Sequence, residues 1–87
     1  PGTWQGALSG TGFLLKIWTT GDQANATVTF DSLTEPENLQ YLGSKSGVDY
    51  FFRSLDRAAL SIYREGAATQ LSYFERGTVR TVTLTRK

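Results

Sequence analysis

The chain has 87 residues, a formal net charge of +1 and 39% apolar side chains, which suits one domain with a small core, spanning 1–87. It contains no Cys and no His, which excludes a disulfide framework, thiolate zinc sites and catalysis by a Ser-His-Asp triad or a Cys-His pair. No apolar run approaches the ~20 residues of a membrane helix, and the first residues do not form a signal segment. Because Met is absent even at position 1, we expect a processed chain or an excised domain. We also expect it to need no metal and no cofactor.

Residue types that favour strands are abundant, with twelve Thr, four Val, two Ile and eleven aromatic side chains. In chain order, alternation of period two predicts segments at 3–8, 13–20, 25–33, 39–42, 48–55, 59–64, 68–75 and 78–86, of which the fourth is weak. Turn signals such as Ser46-Gly47 and Arg76-Gly77 separate them, and no connection is long enough for a crossover helix. The sequence therefore predicts an all-β fold, a small antiparallel up-and-down barrel or a strongly curled meander of seven to eight strands.

One stretch departs from this alternation. Thr34 stands where a helix N-cap is expected, Pro36 follows in the first turn, and Glu37 has the capping-box spacing. This pattern predicts one helical turn near 34–40, with an irregular loop as the alternative.

The first strand opens with Gly2-Thr3-Trp4. This opening resembles the Gly-x-Trp signature of the calycins, the lipocalin and avidin group of β-barrels. The resemblance implies that Trp4 closes one end of the barrel and that a late Arg packs across its ring as a cation–π pair. Arg80 and Arg86 both have the parity of inward positions in the last strand, and we favour Arg86.

The resemblance extends over most of the chain. The segments 2–8, 14–17, 31–32 and 82–86 are similar to the small calycin-like domain that precedes the catalytic domain in some secreted bacterial α/β-hydrolases. This similarity implies an accessory module, an extracytoplasmic location and contact with a catalytic domain. The chain is shorter than ordinary lipocalins, so we do not expect a roomy internal cavity.

Alternation also separates core from surface. It assigns the following side chains to the core: Phe13, Leu15, Ile17, Ala26, Val28, Phe30, Val48, Tyr50, Phe52, Leu60 and Ile62. Leu14, Trp18 and Phe51 then point outward. Together with Phe74 they predict an exposed apolar patch of the kind that binds a protein partner. A bulge that shifts the parity of the second strand is the alternative, and it buries Trp18.

Charge is divided unevenly along the chain. Residues 1–43 carry one basic and four acidic side chains, a net of −3, and residues 44–87 carry eight basic and four acidic, a net of +4. The arginines and aromatic residues of the second half resemble a phosphate-binding and stacking surface, as on an OB-fold. However, a net charge of +1 is low for a protein that follows a phosphate backbone, and several arginines fall near turns at opposite ends.

We therefore expect a non-catalytic binding or accessory module. Its partner is another protein, a second copy of the chain or a small apolar ligand. The alternative is an OB-like nucleic-acid-binding domain, whose binding would weaken steeply with salt while apolar binding would not. A protease inhibitor with residues 1–3 as an inserting arm is a further possibility, supported only by the free N-terminus.

Overall fold

Eight strands follow one another along the chain in the computed structural model, which describes residues 2–33 and 35–87. The strands are β1 (Gly2–Leu8), β2 (Thr11–Thr20), β3 (Gln23–Phe30), β4 (Glu37–Lys45), β5 (Val48–Arg53), β6 (Ala58–Glu65), β7 (Ala68–Glu75) and β8 (Thr78–Arg86). Each strand is antiparallel to the next, and β1 pairs with β8, so the sheet closes into a barrel. The predicted all-β, up-and-down antiparallel barrel is confirmed. Within the described ranges, no helix is long and apolar enough to cross a membrane.

Two-residue turns set the register of several hairpins. In the turn between β7 and β8, Arg76 and Gly77 have φ angles of 50° and 79°. Two successive left-handed residues form a type I′ turn, which matches the right-handed twist of the strands that it joins. The turn therefore pairs Glu75 with Thr78, and the ladder continues down both strands from that pair.

The barrel interior is filled with side chains. Leu15, Phe51, Leu60 and Leu71 are fully buried at its centre. Further inward residues surround them, among them Phe13, Ala26, Val28, Leu39, Ile62 and Leu84. An eight-stranded barrel is just wide enough for its own side chains to fill. These residues therefore occupy the volume in which a larger barrel would hold a ligand.

Two sequence predictions are wrong. In β5 the inward side chains are Phe51 and Arg53, with 0% and 8% exposure, whereas Tyr50 faces outward at 41% exposure. The expected core positions of β5 and the expected outward direction of Phe51 are therefore reversed. The helical turn near 34–40 is wrong where it overlaps β4, because Glu37 already pairs with Val28 in the sheet. Thr34 lies outside the described residues.

The two ends of the barrel differ in chemistry. We call the end where β1 begins and β8 finishes the Trp4 end, and the end where β5 meets β6 the Arg53 end. Successive turns along the chain alternate between these two ends, because neighbouring strands run in opposite directions in sequence order.

Candidate functional site

At the Trp4 end, an arginine covers an indole ring. Trp4 and Arg86 are directly opposite residues in the β1–β8 pairing, and the Arg86 guanidinium carbon lies 5.1 Å from the centroid of the Trp4 ring. A Cβ atom placed on Gly2 would lie only 2.7 Å from that carbon. The missing side chain of Gly2 therefore makes room for the guanidinium, which explains physically why Gly stands two residues before Trp in this strand.

At the Arg53 end, a nearly buried arginine is held by two carboxylates and a phenol. Its Nη2 lies 2.5 Å from Glu37 Oε1, and its Nη1 lies 2.7 Å from Asp56 Oδ2. Nη1 also donates a hydrogen bond of 3.0 Å to the Tyr73 hydroxyl, which in turn donates to Asp56. The guanidinium carbon lies 4.7 Å above the ring of Phe30. Each of these four side chains is therefore paired within an ionic network, and none of them is left as a free acid or base.

The environment of Arg53 and Tyr73 fixes the protonation states of these two side chains near neutral pH. Burial and the hydrogen bond to Asp56 raise the pKa of Tyr73 to about 12. Burial by itself lowers the pKa of Arg53, but the hydrogen bonds with Glu37 and Tyr73 outweigh it, so the net direction is upward. Arg53 and Tyr73 therefore both keep their protons, and we interpret the network as structural.

A small cavity of about 260 Å³ adjoins the network. Leu8, Phe30, Arg53 and Tyr73 line it, together with Arg80. Arg80 Nη1 lies 3.8 Å from Glu75 Oε1, and the Arg80 side chain is 44% exposed. This opening is the mouth of the barrel, and its depth is limited by the packed core beneath it.

A larger groove lies on the outside of β1, β2 and β3. It encloses about 860 Å³, and we call it the outer groove. Its lining includes Thr3, Leu14, Lys16, Trp18, Thr27, Thr29 and Pro36. Leu14 and Trp18 occupy the same face of β2, four residues apart, with Lys16 between them. Trp18 is 42% exposed, so its ring is accessible from solvent.

A second apolar surface crosses four strands near the Arg53 end. Phe52 is paired with Ala59, Ala59 with Phe74, and Phe74 with Val79, so the four outward side chains form one continuous line. We call this line the apolar row. Phe74 and Val79 are 47% and 59% exposed. Directly opposite side chains in antiparallel strands lie in contact distance, so the row is contiguous.

The predicted patch is therefore divided. Leu14 and Trp18 lie together in the outer groove, but Phe74 lies on β7, which β8 and β1 separate from β2. Phe51 is in the core and is not accessible to a partner. Val79 was missed because its strand reads as a run of Thr and Arg with few apolar residues. The turn at Arg76-Gly77 was the available signal, because a two-residue hairpin turn fixes Val79 opposite Phe74.

The arginines of the second half are divided between the two ends of the barrel. Arg53 is enclosed in its ionic network and Arg86 covers Trp4 at the opposite end. Arg64 lies near the end of β6, at the Trp4 end, whereas three others lie at the Arg53 end, namely Arg57, Arg76 and Arg80. The closed barrel of eight strands in sequence order also differs from the five-stranded Greek-key topology of an OB-fold.

Comparisons with protein-family models, curated proteins and solved structures find no match to this chain.

Proposed function

We propose that the chain is a non-catalytic binding module that holds an apolar segment of a partner protein in the outer groove. The observation that carries this proposal is the exposed ring of Trp18 beside Leu14 in a groove of about 860 Å³. Exposed aromatic side chains in a concave, largely apolar setting are typical anchors of protein interfaces. The filled interior of the barrel directs binding to its outer surface.

The groove also carries a charge that selects its partner. Lys16 is the charged residue among the described lining, and it stands between Leu14 and Trp18 on the same face. The hydroxyl groups of Thr27 and Thr29 line the groove on the neighbouring strand. A complementary segment presents two apolar side chains that flank a carboxylate, and its extended backbone meets the threonine hydroxyls.

A non-catalytic role is consistent with the placement of the carboxylates. Glu37 and Asp56, the two acids nearest the barrel mouth network, are both paired with Arg53. A glycosidase needs one carboxylate free as a nucleophile or base and another protonated as an acid. Carboxylates committed to a buried guanidinium perform neither role, so we assign them to stability.

The resemblance to calycin-like accessory domains supports a specific kind of partner. The closed antiparallel barrel and the arginine over Trp4 have the features that the resemblance implies. On this basis the partner is the surface of an α/β-hydrolase catalytic domain, and the module works outside the cytoplasm.

The proposal is tested by selecting random displayed peptides on the wild-type chain, on Trp18→Ala and on Phe74→Ala. Both substitutions remove an exposed aromatic ring, so Phe74→Ala is a matched control from the other apolar surface. We expect peptides that bind the wild type and the control but not Trp18→Ala, and we expect them to carry an acidic residue between apolar ones. Selection on Lys16→Glu should reverse that preference to a basic residue.

Two results would contradict the proposal. One is peptides that bind Trp18→Ala as well as they bind the wild type, and the other is no enrichment of peptides on any of the proteins.

A small apolar ligand is a second candidate, favoured by the concave shape of the same groove. It is tested with the fluorescent probe 1-anilinonaphthalene-8-sulfonate, whose emission should rise with the wild type and not with Trp18→Ala.

A further inference from the structure

Strand β8 begins beyond the end of β1, so the outer edge of its first residues is free. It forms backbone pairs with β1 at Trp4–Arg86 and Gln5–Thr85, whereas its residues from Thr78 to Leu84 pair with β7. In this register β1 ends beside Val82, so among the described residues no strand lies beside the outer edge from Thr78 to Thr81. Alternate backbone N–H and C=O groups therefore face away from the sheet without a strand partner.

The tip of the β7–β8 hairpin projects beyond the rim of the barrel. The four residues from Thr78 to Thr81 are all exposed, those that face inward as well as those that face outward. A groove of about 480 Å³ continues along the open seam, between Ala7 on β1 and Thr83 on β8. The edge is therefore accessible to another strand from the side of the seam.

The sequence of this edge favours pairing. Thr78, Val79, Thr81 and Val82 are β-branched, and Arg80 is the one charged residue among them. Natural proteins usually protect such an edge with several charges, a proline or a covering loop. An exposed edge with this composition acts as a template for a further strand.

We propose that the edge of β8 pairs with the same edge of a second copy of this chain, antiparallel, around a two-fold axis at Val79. Val79 of one copy then lies opposite Val79 of the other, and Arg80 lies opposite Thr78. In this register odd-numbered residues lie opposite odd-numbered residues, so the outward side chains of both copies are on the same face of the joined sheet. A two-fold axis normal to the sheet requires this arrangement.

Two features of the surface fit this axis. The apolar row ends at Val79, so pairing joins the two rows into one line that runs from Phe52 of one copy to Phe52 of the other. On the inward face, Arg80 of each copy lies opposite Thr78 of the other, so no charged side chain is placed directly opposite a like charge. The same axis therefore continues the apolar row and keeps the one charged residue of this edge opposite an uncharged one. A foreign strand would need its own matching pattern.

This proposal rests on the edge and the apolar row, independently of the outer groove. Its test is light scattering after size exclusion over a concentration series, on the wild type, Val79→Lys and Thr85→Lys. Both substitutions add one positive charge to an outward position of β8, but Thr85 pairs with Gln5 at the Trp4 end. We expect the mass of the wild type and of Thr85→Lys to rise from 9.6 kDa toward twice that value. Val79→Lys should remain monomeric, because two lysines would meet on the axis.

A second measurement sharpens the test. Hydrogen exchange on the wild type covers the case of a variant that does not fold, because the amides of residues 78–80 should gain protection as concentration rises. A wild type that stays monomeric, or a Val79→Lys protein that still dimerises, would overturn the proposal. So would loss of the dimer in Trp18→Ala, which would place the self-interface in the outer groove.

Discussion

The substitution Phe51→Ala separates the two possible directions of β5. Phe51 is fully buried, and truncation of a buried Phe costs about 3–5 kcal/mol, because transfer free energy is lost and a cavity remains. At roughly 0.05–0.15 kcal/mol per residue, a chain of this length has about 4–13 kcal/mol of stability in total. Each kcal/mol lowers the Tm of a domain of this size by about 4–8 °C, so we expect a fall of at least about 12 °C.

Phe74→Ala is the matched control, because it removes the same ring from a position that is 47% exposed. We expect it to change the free energy of unfolding by less than about 1 kcal/mol. Thermal and urea unfolding, followed by circular dichroism, measure both variants. Equal losses for Phe51→Ala and Phe74→Ala would refute the assignment of Phe51 to the core. So would a larger loss from Phe52→Ala than from Phe51→Ala.

Three further outcomes follow from the two ends of the barrel. Gly2→Ala should displace the Arg86 guanidinium, at a cost of about 1 kcal/mol of cation–π energy, and should also strain the backbone, because Gly2 has a φ angle of 154°. In urea unfolding its loss should be about 1 kcal/mol smaller in an Arg86→Ala background than in the wild type; full additivity would argue against the contact. Because the folded pKa of Tyr73 is raised to about 12, its contribution to stability is complete below the unfolded value of about 10 and is lost as pH rises through about 12. Tyr73→Phe should flatten that part of the stability profile, and an unchanged profile would contradict the assignment. Asp56→Asn should destabilise the chain by roughly 1–3 kcal/mol in the same assay, because it weakens a nearly buried ion pair with Arg53.

The direction of β5 shows where alternation fails as a guide to burial. Its odd positions are Asp49, Phe51 and Arg53, and two charged residues among three made this face look exposed. In the structure, Arg53 is buried because Glu37, Asp56 and Tyr73 surround it. A pattern along one strand does not reveal charges that residues elsewhere in the chain will neutralise.

The same network explains the wrong helix prediction. Glu37 has the spacing of a capping-box acid within the stretch at 34–37, and local sequence alone cannot distinguish that role from another. Its carboxylate instead binds the Arg53 guanidinium sixteen residues away in sequence, and its backbone pairs with Val28. A long-range ion pair has outweighed a local capping preference, and single-residue propensities do not contain that information.

The surface was easier to predict where one strand decides it. Leu14 and Trp18 follow from the alternation of β2, which has no bulge and keeps Phe13 and Leu15 in the core. The separation of Phe74 from Trp18 was beyond alternation, because it depends on how many strands lie between β7 and β2 around the closed barrel. Strand order, unlike the direction of a side chain, is a property of the whole chain.

The limited pairing between β1 and β8 links the contact of Arg86 with Trp4 to the free edge of β8. Strands in a closed barrel are staggered, so the first and last strands overlap over only part of their lengths. Here the backbone pairing of β1 with β8 consists of two residue pairs at the Trp4 end. The contact between Arg86 and Trp4 strengthens the seam between β1 and β8, where backbone pairing is scarce, and Gly2 permits this contact.

The same stagger leaves the outer edge of the first residues of β8 without a partner, at the exposed side chain of Val79. Substitutions that weaken the contact between Arg86 and Trp4 should therefore lengthen the free edge, and we expect Gly2→Ala to favour self-association while it lowers stability. Light scattering on that variant measures the coupling, and a mass no greater than that of the wild type at equal concentration would contradict it.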